Sequence, residues 1–221
     1  MAIDIAATDE LLTTTRGVRR RLDFDKPVDP KVIEECVEIA LQSPVGSVAT
    51  PRHFIVITDD AKKTAVAGCY RKTTFAYLDE REAVAAAMDD PEKADFVRKN
   101  LRLARRQAEE LERNPALIIL AIDGRIEGKN VGDLGGLYGS ILPAAWSLML
   151  ALRARGLGSC WTTLHLYEEQ EVATILDIPE DVTQAVLLPV AYFTGDTFKP
   201  AKRLPAAEQI HWNGWGQHRQ T

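Results

Sequence analysis

Three stretches of the chain, ALIILAI (116–122), ILPAAWSLMLAL (141–152) and QAVLLPVAYF (184–193), are apolar almost without a break. The first and third have the length of strands buried on both faces. The second continues the pattern from Leu137 to Arg155, apolar nearly all round, which predicts a helix buried on several sides in a core or an oligomer interface. RHFIVIT (52–58) reads as a further strand, rich in β-branched and aromatic residues. Helical periodicity precedes it. Asp9 caps a helix expected to run to about Leu22, and Asp29–Pro30 opens a second, with Val32, Ile33, Val37 and Ala40 on one side and Ser43–Pro44 ending it.

Between Asp60 and Arg113 the pattern is helical and highly charged, broken near Asp89, Asp90 and Pro91, and reads as an excursion from the main body. GKNVGDLGG (128–136) reads as glycine-rich punctuation, Gly156 as a helix stop, SCWTT (159–163) as a short strand and Tyr167–Leu176 as another helix. About four core strands and many helices predict an α+β fold, taken as one domain over 1–221. The tail from about 197 carries Lys199, Lys202 and Arg203, then HWNGWG. Trp212 and Trp215 bring too much apolar area to stand in water, which predicts a dimer with an exchanged C-terminal arm.

Composition narrows the function. With 27 basic and 32 acidic residues the net charge is −5, so no nucleic-acid partner is expected. The 12-residue run 141–152 is short of the roughly 20 needed to span a bilayer, and residues 1–15 lack a secretory n-region. The expectation is a cytoplasmic protein without a membrane partner. Three scattered cysteines form no CxxC pair, and four histidines form no HxxxH pair, so no metal site is expected.

Four stretches could carry chemistry. TRGVRRRL (15–22) places Arg16 and Arg20 four apart, on one face of the expected helix, as either a solvated basic face or an anion site. SPVGSVATPRHFIVI (43–57) is a loop that would bind through its main chain, or simply connect. GLGSCWTT (156–163) reverses the chain out of a helix and offers main-chain N–H groups. Its Cys160 has no His or Asp nearby in sequence to activate it and is read, with Trp161, as packing. FKPAKRLP (198–205) is a second basic cluster, and two such clusters at opposite ends of an acidic chain suggest one shared anion. CYRKTTFAYL (69–78) either roofs an aromatic ligand or packs as an amphipathic helix.

In that order and spacing, the four stretches resemble the nitroreductase family of FMN-dependent oxidoreductases. The resemblance implies a mixed central sheet flanked by helices, an intertwined homodimer, and FMN in clefts between subunits. On the matching positions it implies that Arg16 and Arg20 hold the FMN phosphate with Arg203 and Lys202, and that Gly17 and Val18 touch the same end. Pro44, Val45, Gly46 and Val48 would follow the ribityl chain and ring. Thr162, Thr163 and Leu164 would line a ring edge, with a backbone N–H near flavin N5. The activity implied is ping-pong electron transfer from NADH or NADPH to a nitroaromatic or quinone-like acceptor, with no catalytic side chain because the flavin carries the chemistry; a flavin-storing or sensing member without turnover is the alternative. Departures from the family pattern are Val45, Val48, Thr50 and Arg52 in the loop, where serine, asparagine, glutamine and tryptophan are usual around the retained Pro51, and Thr163 in place of an acidic residue.

Overall fold

The computed structural model describes residues 3–46 and 51–219. Two compact units divide them: Thr15–Gly195, and a smaller one formed by the segment up to Thr14 with the segment from Asp196.

In chain order the elements are α1 (Ile5–Thr14), β1 (Leu22–Asp23), α2 (Pro30–Ala40), β2 (Arg52–Ile57), α3 (Asp60–Ala86), α4 (Pro91–Glu109), β3 (Ala116–Asp123), α5 (Val131–Ala154), β4 (Leu157–Ser159), α6 (Glu169–Leu176), β5 (Val182–Phe193) and α7 (Ala206–Gln209). Short 3-10 turns lie at Leu111–Arg113 and Leu164–Glu168. The strand order is β1-β5-β3-β2, with β4 also pairing β5.

β3 shows how the sequence builds the core. Ala116, Ile118, Leu120 and Ile122 face one side, where α2 and α5 cover them; Leu117 and Ile119 face the other, against α3, Leu111 and Val172. Both faces are dry, as the unbroken apolar run implies. A bulge between Leu120 and Ala121 lets Ala185 and Val186 of β5 both face the α5 side.

Every strand ladder among the described residues is antiparallel, which corrects the expected mixed sheet; the one parallel pairing is an isolated Gly124–Val182 bridge. The connection between β2 and β3 explains the direction. It runs out along α3 and back along α4, so the chain re-enters the sheet beside the point it left, with Ile57 opposite Leu117. An out-and-back pair of helices cannot deliver the parallel crossover that a single helix makes. The expected excursion is also half structural: Val66, Ala67, Cys69 and Tyr70 of α3 and Ala108 of α4 form one of the two core layers.

Local chemistry sets the ends. Asp29 accepts from the Lys31 amide with Pro30 in the first turn, and Asp59, Asp90 and Asn130 cap α3, α4 and α5. The Asn130 cap starts α5 six residues earlier than the apolar pattern predicts, with Gly132, Gly135 and Gly136 inside the helix. Gly156, at φ +76°, ends it in the left-handed conformation that glycine adopts without strain. Among the described residues α5 is the one helix long and apolar enough to cross a membrane; Ile141, Ala145, Leu148, Met149 and Leu152 instead pack on the sheet. The ladder forms at Leu157–Ser159, so only Ser159 of the strand expected at 159–163 joins it, Thr162 adding a single bridge to Leu187.

In the smaller unit, the first helix is shorter than expected. It begins at Ile5, the Asp4 carboxylate accepting from the Ala7 amide, and ends at Thr14. Thr13 and Thr14 turn their hydroxyls back on the carbonyls of Asp9 and Glu10, and β-branched residues are poor helix continuers. The tail of this unit folds on itself: the Trp212 amide donates to the Gln217 carbonyl, and His211 stacks on Trp215 at 4.3 Å.

Candidate functional site

Because α1 stops at Thr14, residues 15–20 lack regular secondary structure, and the expected arginine face is corrected: Arg16 and Arg20 do not share a helix. The stretch is held as a strap across β4 instead. The Val18 amide donates to the Ser159 carbonyl at 2.8 Å, and Val18 is buried. Contact is close enough that a Cβ on Gly158 would lie 3.0 Å from Val18 and 3.1 Å from Leu22, and one on Gly17 would lie 3.1 Å from the Cys160 sulfur. Those two glycines let the strap and strand approach. Arg16, Gly17 and Arg20 are exposed, while Arg19 is half-buried.

Arg19, absent from the expected set, is the arginine that enters a cavity. Its Nε donates to Gln107 Oε1 at 3.0 Å, and its positive charge acts on the Cys160 thiol. The cavity, about 370 Å³, lies between α3 and α4 on one side and Trp161, Thr162, Thr163 and Leu164 on the other. Tyr70, Tyr77, Asn100 and Gln107 come from the two helices. The aromatic stretch of α3 thus divides: Tyr70 and Tyr77 line the cavity, Arg71 pairs with Glu112, and Phe75 lies under the Arg105 guanidinium. Sequence reasoning missed Arg19 because an i, i+4 spacing counts only if the helix continues.

At the base of the cavity the buried Tyr70 hydroxyl shares a 2.8 Å hydrogen bond with Thr162 Oγ1. Burial raises the Tyr70 pKa, so the phenol stays neutral. Burial likewise raises the Cys160 thiol, against the opposing pull of Arg19; it is a packed thiol and not a nucleophile. The Thr162 amide donates to Leu187 O and its carbonyl accepts from Leu187 N. The Thr162 amide is thus engaged with β5, while Thr163 and Leu164 line the same wall. His165, next in sequence, is fully buried, neither ring nitrogen has a partner among the described residues, and desolvation lowers its pKa to about 3.

The loop residues lie elsewhere in the same unit. The Gly46 amide donates to Ser140 Oγ at 2.8 Å, and Gly46 lines a second cavity of about 330 Å³ with Asp123, Lys129, Gly132, Asp133, Gly136, Leu137 and Ser140. Pro44 is exposed and Val45 half-buried beside it, whereas Val48 lies outside the described residues. Arg52 closes the base of the loop, donating to Leu41 O at 2.8 Å and Ser43 Oγ at 2.9 Å. Gly46 and Thr162–Leu164 line separate cavities, which share no lining residue among the described residues. Lys202 and Arg203 belong to the smaller unit and are exposed there, Arg203 donating to the Lys202 carbonyl.

The donor set suits a flat anionic cofactor such as FMN. Exposed guanidinium groups on Arg16 and Arg20 flank a strap that glycine keeps close to β4, and Thr163 and Leu164 line the cavity that Arg19 enters. No group of three or more metal-ligating side chains occurs among the described residues.

The family model described as "Nitroreductase family" matches residues 13–192. No curated protein matches the chain in sequence. Among solved structures, an iodotyrosine deiodinase bound to FMN and 3-iodo-L-tyrosine is 18% identical, with 93% of this chain and 98% of that chain covered at a TM-score of 0.67. An NADH dehydrogenase/NAD(P)H nitroreductase from Bacteroides thetaiotaomicron is 21% identical, covering 96% and 100% at 0.64. A BluB-like flavoprotein from Clostridium difficile is 18% identical, covering 96% and 100% at 0.65. At these identities the likeness is one of fold.

Proposed function

The chain belongs to the nitroreductase family, and from that premise we propose that it is an FMN-dependent oxidoreductase passing electrons from NADH or NADPH to an electron-poor aromatic acceptor by ping-pong turnover. The observation that carries this reading is the wall at Thr163 and Leu164, two residues that line one cavity together with Arg19. When bound, FMN would supply the redox chemistry, a two-electron exchange between NAD(P)H and the acceptor with the balancing proton from solvent. The protein's part is to hold and exclude. Arg16 and Arg20 bind phosphate. Gly17 and Val18 keep the strap against β4, and the amides of Thr163 and Leu164 donate to a ring edge. The Tyr70–Thr162 bond fixes the wall that carries them.

The site is completed by a second copy in this reading. α5 presents Val131, Tyr138, Leu142 and Trp146 along one helical stripe of exposed or half-buried positions, interspersed with the exposed Gly135 and Gly139. Such a stripe suits a close helix contact between subunits. A homodimer would bring the Pro44–Gly46 loop of one chain to the Thr163 wall of the other, with the C-terminal arm exchanged.

Adding FMN to the purified chain tests the reading. Micromolar binding with the visible flavin spectrum, then anaerobic bleaching by NADH or NADPH, is expected; no binding sinks it. Binding without bleaching would favour a flavin-storing or sensing role, toward which Val45 in the loop and the engaged Thr162 amide lean.

A further inference from the structure

The segment that carries Thr163 and Leu164 hangs between two fastenings on β5. At one end Thr162 exchanges both main-chain hydrogen bonds with Leu187, at 3.1 and 2.9 Å. At the other, Glu169 opens α6 and holds Gln184 twice: the Gln184 amide donates to Glu169 Oε1 at 3.0 Å, and Gln184 Nε2 donates to the Glu169 carbonyl at 2.9 Å. Residues 163–168 arch between these points, mostly as a 3-10 turn. The arch itself is loosely tied. Thr73 of α3 donates to the Leu164 carbonyl at a long 3.3 Å, and the buried His165 ring has no hydrogen bond among the described residues.

Glu169 is in turn gripped by Arg125. The guanidinium takes both carboxylate oxygens, Nη1 to Oε1 at 3.1 Å and Nη2 to Oε2 at 2.9 Å, and donates to the Val182 carbonyl at 2.9 Å. Glu127 accepts from the two remaining N–H groups. With all five donors engaged, Arg125 has none left for an anion in the adjoining cavity of about 860 Å³. It is a fastener. It stands on the connection from β3 to α5, between Asp123 and Lys129, which line the Gly46 cavity. One ion pair thus joins the arch, the start of β5 and the chain leading to the second cavity.

We infer that Arg125 and Glu169 are positioning residues: their bidentate pair fixes where the arch places Thr163 and Leu164, although neither residue lines the cavity that those two line. Such a fork is both strong and directional, and with the Glu169 side chain only 19% exposed water competes poorly for it. A wall held in place before binding favours a flat ligand by sparing it the cost of ordering the wall.

The inference rests on the flavin reading for its effect on FMN, and its test separates the two. Hydrogen exchange read by mass spectrometry on the flavin-free full chain follows peptides covering 163–168 and, as a reference, 116–122 of β3; FMN titration then gives the affinity. Glu169→Gln keeps the shape and one acceptor for the Gln184 amide. In it and in Arg125→Gln, exchange over 163–168 is expected to be about tenfold faster, the scale of one lost charge-assisted hydrogen bond, with 116–122 unchanged. FMN should bind about tenfold more weakly to both. Arg125→Lys, with the charge but not the fork, should fall between them and the wild type, and Glu127→Gln, which frees only the exposed outer carboxylate, should leave both readings unchanged. Unaltered exchange over 163–168 in both Gln variants, equal acceleration over 116–122, loosening by Glu127→Gln as large as by Glu169→Gln, or undiminished FMN affinity in a variant with a loosened arch overturns the inference. Faster exchange confined to 163–168 in a chain that binds no FMN keeps the fastening and removes the flavin reading.

Discussion

Replacing Tyr70 with phenylalanine removes one oxygen and leaves the ring, so it isolates the hydrogen bond at the base of the cavity. Tyr70 is 1% exposed, Thr162 is 8% exposed, and their hydroxyl oxygens are 2.8 Å apart. Water has little access to replace the lost partner. The bond itself is worth about 1 kcal/mol net, and a buried hydroxyl left without a partner costs about 1–3 kcal/mol, so Tyr70→Phe should destabilise by about 2 kcal/mol. Thr162→Val should cost a similar amount, because it strands the phenol. The double variant removes both polar groups and should cost much less than the sum, giving a coupling of about 1 kcal/mol or more. Urea unfolding followed by tryptophan fluorescence measures all four corners of the cycle; a change of about 2 kcal/mol with an m-value of roughly 1–3 kcal/mol/M moves the midpoint by about 1 M. A Tyr70→Phe change below about 0.5 kcal/mol, or strict additivity, would refute the claim that this bond holds the wall.

Three further outcomes follow from named contacts. His165 is neutral when folded, with its pKa lowered to about 3 by burial, but titrates near 6.5 when unfolded. Its stabilising contribution is therefore present above pH 6.5 and falls toward pH 3, by about 2 kcal/mol between pH 7 and 5; His165→Phe should flatten the pH dependence of the urea midpoint in that window, and an unchanged slope would count against it. Gly156→Ala should cost about 1 kcal/mol from its positive φ alone, since the added Cβ meets nothing nearer than Tyr192 at 4.0 Å. Gly158→Ala should cost about 1–3 kcal/mol by pushing the 17–22 strap off β4, and should weaken FMN binding alongside stability; full-strength flavin binding in a folded variant would separate the strap from the site.

Most of the sheet was legible because its strands are unbroken apolar runs, and a run such as 116–122 admits few other fates. The Asp29–Pro30 helix start was legible because its cap is local, and the break near Asp90–Pro91 was legible for the same reason. What failed depended on distance. The arginine helix ends early because threonines 13 and 14 bond back into it and because Val18 finds a partner 141 positions away at Ser159. The glycines at 132, 135 and 136 read as a loop, yet the Asn130 cap and packing of the rest of α5 carry the helix through them. The excursion looked detachable because its charges dominate the pattern, although Val66, Ala67 and Tyr70 sit in the core. Arg19 is conspicuous only once Gln107 is seen to face it.

The antiparallel pairing of Ile57 with Leu117 gives α3 and α4 a common doorway: chain leaves and returns one strand spacing apart. Beyond the layer that packs on the sheet, the two helices are tied to each other by Arg98–Glu82 and Arg105–Asp79 and could be lengthened or shortened together, turn for turn, without moving either strand. The fold can thus telescope at its distal end while the strap against β4 stays fixed. Such an arrangement lets the far ends of the two helices drift under selection at a different rate from the Trp161–Leu164 wall at their base.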